Sequence, residues 1–323
     1  MPLTLADVPT LACPACNRPM EFRVAGRGDR TVAGVPAAAE AAIVLDEGTL
    51  VCTGCGRGWP VRGGIPRLCD ETRVGGHDRM LRLIYDVIAP VHDLGVEVVL
   101  RVLQFPDFGA SRERYIRQLE LATLRPRRDG APLRILEVGI GPGANIPLVE
   151  RALPRGLDVE LWGLDLSTGM LRQCARWLPR HAQRPVRLLL ADAHALPFAD
   201  ATFDRVFHVG GINGYHDPGR GLAEMARVAR PDTPIVVVDE ELDPQGSHWL
   251  LHRLAFAALT FLDPGPHAPR ELVPTGSYEV VVTPVSRFYY CLRFRVASRD
   301  ADAGQARPTA KQREAAATED GPR

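Results

Sequence analysis

Apolar positions change their spacing several times along this 323-residue chain. Up to about residue 70, Gly, Pro and Cys are frequent and no helical period is sustained. From Asp78 to Leu103 the residues Met80, Leu81, Ile84, Val87 and Ile88 recur at helical spacing. Pro90 and Gly95 interrupt the pattern, which predicts two short helices. A further helix is expected over 111–124, with Ser111 as its N-cap and Pro126 just past its end. Between Pro132 and Val238 short apolar runs alternate with amphipathic stretches. Strands are expected at 133–138, 159–164, 186–190, 203–209 and 234–238. Helices are expected at 144–153, 167–178 and 221–228, the second with Met170, Leu171, Cys174 and Leu178 on one face behind a Ser167 cap. Such alternation means βαβ units and a parallel, doubly wound sheet. After Asp239 comes an apolar helix over 247–262, stopped by Asp263-Pro264-Gly265-Pro266. Two strands follow, 278–282 and 287–296, with no helix between them, which predicts an antiparallel pair at one end of the sheet. The last residues, 298–323, hold few large apolar side chains and are expected to be disordered. The expected organisation is a small cysteine-bearing domain over 1–72, a helical lead-in over 73–130, an α/β domain over 131–297 and the tail.

Composition narrows the function classes. Apolar residues make up 46% of the chain, enough for a sizeable core. Thirty-nine basic residues balance thirty-nine acidic ones, so no global field draws the protein to nucleic acid. No apolar run reaches membrane-spanning length and the N-terminal residues lack a signal-peptide pattern, so a cytoplasmic location is expected. Seven cysteines, an odd number, point to metal or free thiols rather than to a disulfide framework.

Four of those cysteines form two C-x-x-C pairs, Cys13/Cys16 and Cys52/Cys55. A two-residue gap lets one tight turn present both thiolates of a pair, and tetrahedral Zn²⁺ needs four soft ligands. Structural zinc held by Cys13, Cys16, Cys52 and Cys55 is therefore expected, with a redox pair or unligated thiols as the alternative. Cys69, Cys174 and Cys291 stand apart. The spacer between the pairs exceeds the usual length and contains an Ala-rich insertion, PAAAEAA. The run CTGCGRGWPVRGGIPRL resembles the small zinc ribbon that activates certain tRNA and protein methyltransferases.

The second constellation begins at the strand over 133–138. It runs into Gly139-Ile-Gly141-Pro-Gly143-Ala144 and then a helix. Glycines let a nucleoside or its tail approach the backbone where a Cβ would collide. Glu137 stands two residues before the first glycine, where a carboxylate orders the loop and an ammonium and would repel a pyrophosphate. Asp165, followed by Leu166, ends the next strand, where it can accept both ribose hydroxyls. Asp192-Ala193 ends the third, where a carboxylate can accept from an adenine amino group. These runs resemble the motifs of class I S-adenosylmethionine-dependent methyltransferases, as do Phe203-Asp204-Arg-Val-Phe and GLAEMARVARPDTPIVVVDE. The resemblance implies a Rossmann-like, doubly wound, seven-stranded sheet with an antiparallel C-terminal strand. It also implies S-adenosylmethionine as cofactor at Glu137, Gly139, Gly141, Gly143, Asp165, Leu166, Asp192 and Ala193. In place of the family's Pro-Gly-Gly stands Pro231-Asp232-Thr233, which alters a turn.

Tyr85-Asp86-x-x-Ala89-x-x-His92-Asp93 is similar to the lead-in of the quinone-biosynthesis C-methyltransferases, with His92 in place of a Tyr. Val209-Gly-Gly-Ile-Asn213-Gly-Tyr215-His216-Asp217 is similar to the loop that faces the methyl group in that family. The resemblance makes Tyr215 and His216 candidates to position or deprotonate an acceptor hydroxyl. A packed Tyr215 and a solvated His216 are the alternative, and His208, inside a strand, reads as core. No N-P-P-Y or D-P-P-Y follows the fourth strand, which disfavours methylation of base amines. Trp249, Leu250, Leu254, Phe256 and Phe261 lie on a helix that serves either as a wall for a lipophilic acceptor or as core. Three functions follow: methylation of a small, largely apolar acceptor (quinone-like, polyketide-like or lipid), methylation of an rRNA or tRNA base with the ribbon contacting RNA, or non-catalytic binding. The intact Glu137, Asp165 and Asp192 argue against the last. Nucleic acid is the weaker partner, although Arg125, Arg127 and Arg128 form a local basic run. A peripheral membrane contact is left open.

Overall fold

The computed structural model describes residues 3–24, 37–40, 42–87, 108–260 and 265–297. The second lead-in helix, with Ala89, His92 and Asp93, lies outside the described residues. So do Phe261 to Pro264 and the tail 298–323.

The N-terminal part builds four short strands: β1 (Met20–Val24), β2 (Gly48–Cys52), β3 (Gly58–Arg62) and β4 (Ile65–Leu68). They form an antiparallel meander, with a one-turn helix α1 (Ala37–Glu40) between β1 and β2. Trp59 and Val61 point inward between exposed neighbours, the period-2 alternation of a one-faced sheet.

The lead-in supplies helix α2 over 76–87 and helix α3 (Phe108–Gln118). Ser111 lies inside α3 and does not cap it, because the helix already begins at Phe108. Glu120 then takes a left-handed φ of 52°, and a 3₁₀ turn over Leu121–Thr123 replaces the expected last turn.

The α/β part follows the predicted alternation. Its strands are β5 (Leu133–Val138), β6 (Val159–Asp165), β7 (Val186–Ala191), β8 (Arg205–Val209), β9 (Ile235–Glu240), β10 (Ser277–Pro284) and β11 (Tyr289–Val296). The helices are α4 (Ile146–Ala152), α5 (Thr168–His181), α6 (Pro218–Val228) and α7 (Leu250–Leu259). Ser167 does cap α5, its side chain accepting from the Met170 N–H. Asp232 sits at φ 61°, a conformation glycine adopts without penalty; its N–H bonds to the Val296 carbonyl and its carboxylate accepts from Tyr278.

The strand order is β1-β2-β3-β4-β7-β6-β5-β8-β9-β11-β10. The seven strands from β7 to β10 form the methyltransferase-like sheet, parallel from β7 to β9 and antiparallel at β11 and β10. The N-terminal meander continues that sheet: β4 pairs in parallel with β7, through Arg67 opposite Leu190 and Leu68 opposite Ala191. Polar contacts reinforce the seam. Arg187 donates to Asp7 at 2.5 Å and to Glu160 at 3.0 Å, and the Ala12 N–H donates to the Pro197 carbonyl at 2.9 Å.

Alternate residues of each parallel strand feed two cores. Ile135, Leu161 and Leu188 pack with α3, α4 and α5. Leu136, Trp162 and Leu189 face α6, and that core runs on without a break into Leu11, Leu50 and Trp59 of the meander. The parallel strands thus all end on one edge, where their βα loops converge.

Candidate functional site

A cavity of about 790 Å³ opens along that edge, lined by the ends of β5 to β9 and roofed by α2 and α3. β5 delivers Glu137 and the glycine turn. Gly139, Gly141 and Gly143 have φ of 68°, 53° and 89°, values that penalise any side chain. A Cβ on Gly139 would also stand 3.1 Å from the His208 ring. The turn is tied down from β6, since the Gly141 N–H donates to Asp165 Oδ2 at 2.9 Å and the Ser167 N–H to Asp165 Oδ1 at 2.8 Å.

Glu137 is 1% exposed. Its Oε1 accepts from Asn145 Nδ2 at 2.6 Å, and Asn145 Oδ1 accepts from the Tyr115 hydroxyl at 2.6 Å. Its Oε2 is buried and lacks a hydrogen-bond partner among the described residues. Burial pushes its carboxyl up to about 8 against the pull of the Asn145 amide. A buried carboxylate oxygen without a donor fits an incoming ammonium.

Asp192, at the end of β7, accepts from the His194 N–H at 2.9 Å and from His194 Nδ1 at 2.7 Å. Burial works to raise its pKa, but the two His194 donors outweigh it and hold the carboxyl below its ordinary value. Burial opposes the charge on His194 as well, and Asp192 and Asp78 overcome it to raise the imidazole. Leu166 and Ala193 line the wall between these acids.

Helix α2 crosses this cleft and is pinned at both ends. Asp86 accepts from Ser167 Oγ at 2.6 Å and from the Gly169 N–H at 2.7 Å. Asp78 accepts from the His216 N–H at 3.1 Å and bonds the His216 ring Nδ1. The His194 and His216 rings lie 4.1 Å apart, centroid to centroid. Tyr215 packs at 5.1 Å from His194 and 5.4 Å from His208, and burial keeps its hydroxyl protonated far above its ordinary pKa. His208 is 1% exposed, gives its Nδ1 to the Val138 carbonyl and is kept neutral by burial, as expected for a core histidine. Helix α7 does not wall the cavity with its large apolar residues. Trp249 (76%), Leu250 (72%) and Leu254 (59%) are exposed, Phe256 packs on Phe288, and among the described residues of this segment Thr260 and Pro266, both past the helix, reach the lining.

At the other end of the chain's first core, the four thiols of Cys13, Cys16, Cys52 and Cys55 lie within 4.8 Å of one another. Cys13 is 3.8 Å from Cys55 and Cys16 is 3.4 Å from Cys52. Burial works to raise the Cys52 thiol, yet the N–H groups of Cys55 and Gly54 hold it down to about 6. A thiolate in a four-sulfur cluster fits tetrahedral Zn²⁺. Cys69, Cys174 and Cys291 are buried elsewhere.

Residues 136–237 match the family described as "Methyltransferase domain", and residues 8–64 match "Trm112p-like protein". The demethylmenaquinone methyltransferase of Thermus thermophilus is 32% identical over 173 residues, covering 54% of this chain and 71% of the relative. The chain belongs to the S-adenosylmethionine-dependent methyltransferases. The phosphatidylethanolamine N-methyltransferase of Cereibacter sphaeroides is 35% identical over 107 residues, 33% of this chain and 50% of that protein. Among solved structures, a SAM-dependent methyltransferase from Aquifex aeolicus aligns at a TM-score of 0.42 and 16% identity, over 61% of this chain and 93% of that one.

The cavity is lined by all three acids named from the sequence and by Gly139 and Gly141, whereas Gly143, in the same turn, faces Cys174 and Leu178 of α5. Reasoning from the sequence missed Asn145, Tyr115, Asp78, His194 and Glu240. Of these Asn145, two residues after the last glycine, His194, next to Ala193, and Glu240, the last residue of the GLAEMARVARPDTPIVVVDE run, sit close enough to a motif to have been found. No helix among the described residues is long and apolar enough to cross a membrane.

Proposed function

We propose that this methyltransferase acts on a small, largely apolar acceptor held between α2, the Asn213–His216 loop and the end of β9. The supporting observation is the cavity itself. At about 790 Å³ it has room beyond a nucleoside, and Leu81, Ile84, Tyr85, Val285 and Tyr289 give its far wall an apolar character with a few polar groups. S-adenosylmethionine bound over the glycine turn supplies a sulfonium methyl for direct displacement. On this reading Glu137 Oε2 takes its ammonium, Asp165 its ribose and Asp192 its adenine amine, with Leu166 and Ala193 packing beside them. The chain's own task is then alignment and exclusion of water, with no strong base required. Tyr215 forms the floor; His216 lies beside the cavity rather than in its lining, bonded to buried Asp78, and on this reading orients an acceptor hydroxyl or accepts its proton from there. Zinc on the four thiols holds the ribbon together.

The basic run does not favour an RNA substrate. Arg125 and Arg127 precede β5 and so lie toward the edge of the sheet opposite the cavity, where Arg125 bonds carbonyls of its own turn and Arg127 pairs with Asp129. A strongly salt-dependent RNA track would have to reach the cavity mouth. Incubation with labelled S-adenosylmethionine and either a lipid-soluble extract or total RNA tests the assignment. Label in the extract is expected. Salt-sensitive label in ribosomal RNA instead would replace this reading with the RNA one.

A further inference from the structure

At one edge of the cavity three side chains from distant segments converge: Asp78 of α2, His194 in the loop after β7 and His216 in the loop after β8. Each offers one nitrogen or oxygen, and these atoms lie within 4.8 Å of one another. Bringing them onto one ion with bonds of about 2.0–2.2 Å needs side-chain shifts on the order of an ångström.

The surroundings prepare all three. The His194 side chain is 10% exposed, with Nδ1 turned to Asp192 Oδ1 at 2.7 Å. Its Nε2 is buried and lacks a hydrogen-bond partner among the described residues. A polar nitrogen shut away from water with nothing to bond is costly. An imidazole that gives one nitrogen to a carboxylate and keeps the other bare is the form in which histidine holds a metal. Asp78 is 5% exposed and bonds the His216 ring, while His216 is 39% exposed and leaves the cluster open to solvent. Gly75 confines that ring, since a Cβ there would stand 3.1 Å from His216 Cγ. Asp192, Asp78 and Asp217 surround His194 with negative charge. Arg220 reaches the same loop, but its guanidinium is engaged by the His194 carbonyl at 3.0 Å and by Glu224 at 3.4 Å.

We propose that Asp78, His194 and His216 form a second metal site, separate from the thiol cluster, that takes a divalent first-row transition ion such as Zn²⁺, Co²⁺ or Ni²⁺. Two imidazoles and one carboxylate suit these ions better than Mg²⁺ or Ca²⁺, which prefer oxygen throughout. The ion takes the place of the proton that Asp78 and His216 share, and three protein ligands leave a position for water. Such a set holds metal less tightly than four thiolates, so the protein as purified carries the ribbon zinc alone and this site fills when metal is added. A filled site ties the roof helix α2 to the loops after β7 and β8. It also occupies the imidazole to which the acceptor reading gives a proton, and so silences that role; the site itself does not depend on the acceptor's identity.

The test titrates Co²⁺ into the full-length protein with its ribbon zinc in place. One further equivalent should bind at micromolar concentration, showing visible d–d bands without the near-ultraviolet charge-transfer band of thiolate ligation. Added Zn²⁺ should displace it. Asp78→Asn, His194→Gln and His216→Gln should each weaken that binding about tenfold or more and keep the ribbon zinc. X-ray absorption at the cobalt edge of the wild type should show two imidazole ligands, a readout that needs no tolerated variant. No second equivalent, a second Co²⁺ that carries the thiolate band, or binding that survives all three substitutions overturns the proposal.

Discussion

Replacing Glu137 with Gln should stabilise the cofactor-free protein while crippling cofactor binding. The carboxyl is wholly buried, with one oxygen bonded to Asn145 and the other unmatched. Its folded pKa of about 8 lies above the ordinary 4.5, so the folded chain holds this proton more tightly than the unfolded chain does. Stability from this group is then fully present below pH 4.5, declines as pH rises, and is lost completely above about 8. At about 1.4 kcal/mol per pH unit, the wild type forfeits about 3 kcal/mol between pH 4.5 and 7 that a neutral Gln does not. Gln preserves the bond to Asn145 by turning its amide. For a chain of this size that gap corresponds to roughly 6–12 °C in Tm. Thermal melts of both proteins without cofactor, from pH 5 to 8.5, read the difference directly, because every other titrating group contributes equally to both. With S-adenosylmethionine the order should reverse. The ammonium requires the ionised carboxyl, so binding to wild type at pH 7 should release close to one proton. Calorimetry in two buffers of different ionisation heat measures that release. Loss of the charged bond should weaken affinity in the Gln variant about 10- to 100-fold. Melting curves that run parallel at every pH, or equal affinity in the two proteins, would refute the reasoning.

Three further outcomes follow from the same geometry. Asp165→Ala removes the acceptor for the Gly141 and Ser167 N–H groups as well as for the ribose, so S-adenosylmethionine affinity should fall at least tenfold by calorimetry. One equivalent of zinc is expected by elemental analysis, and Cys52→Ser should lose it; since metal supplies on the order of 10 kcal/mol to such a unit, the variant should melt in two steps with the ribbon first. His216→Ala should lower kcat with S-adenosylmethionine affinity unchanged, and an unaltered kcat removes His216 from the reaction.

The parallel strands were legible because each is largely buried on both faces and so reads as a predominantly apolar run bounded by turn residues, broken only by Arg134 and Glu137 in Leu133–Val138 and by Arg187 in Val186–Ala191. The meander was not: β4 has four residues, and its pairing with β7 is set by tertiary contact rather than by local pattern. The start of α3 was misplaced because Ser111 satisfies the N-cap preference yet is used inside the helix, buried against the cavity. In the site, Glu137, Asp165 and Asp192 were found because each ends a strand next to a recognisable turn. Asp78 and Glu240 reach the cavity from segments far apart in sequence, and only the topology brings them together. Apolar content alone also misled: α7 is rich in Leu and Trp, but that content says nothing about which way the side chains turn.

Parallel pairing of β4 with β7 has a consequence for how the chain is made. During synthesis β4 is complete at Leu68, whereas its partner begins at Val186, with 117 residues between them. At a translation speed of about 5–20 residues per second, the outer edge of β4 waits roughly 6–24 s before its neighbour emerges. An unpaired strand edge is a template for pairing with another chain. Here the edge is short, offers only Arg67 and Leu68 to its eventual partner, and carries the Arg67 charge. The nascent ribbon therefore meets the ribosome's surroundings with its edge already blunted.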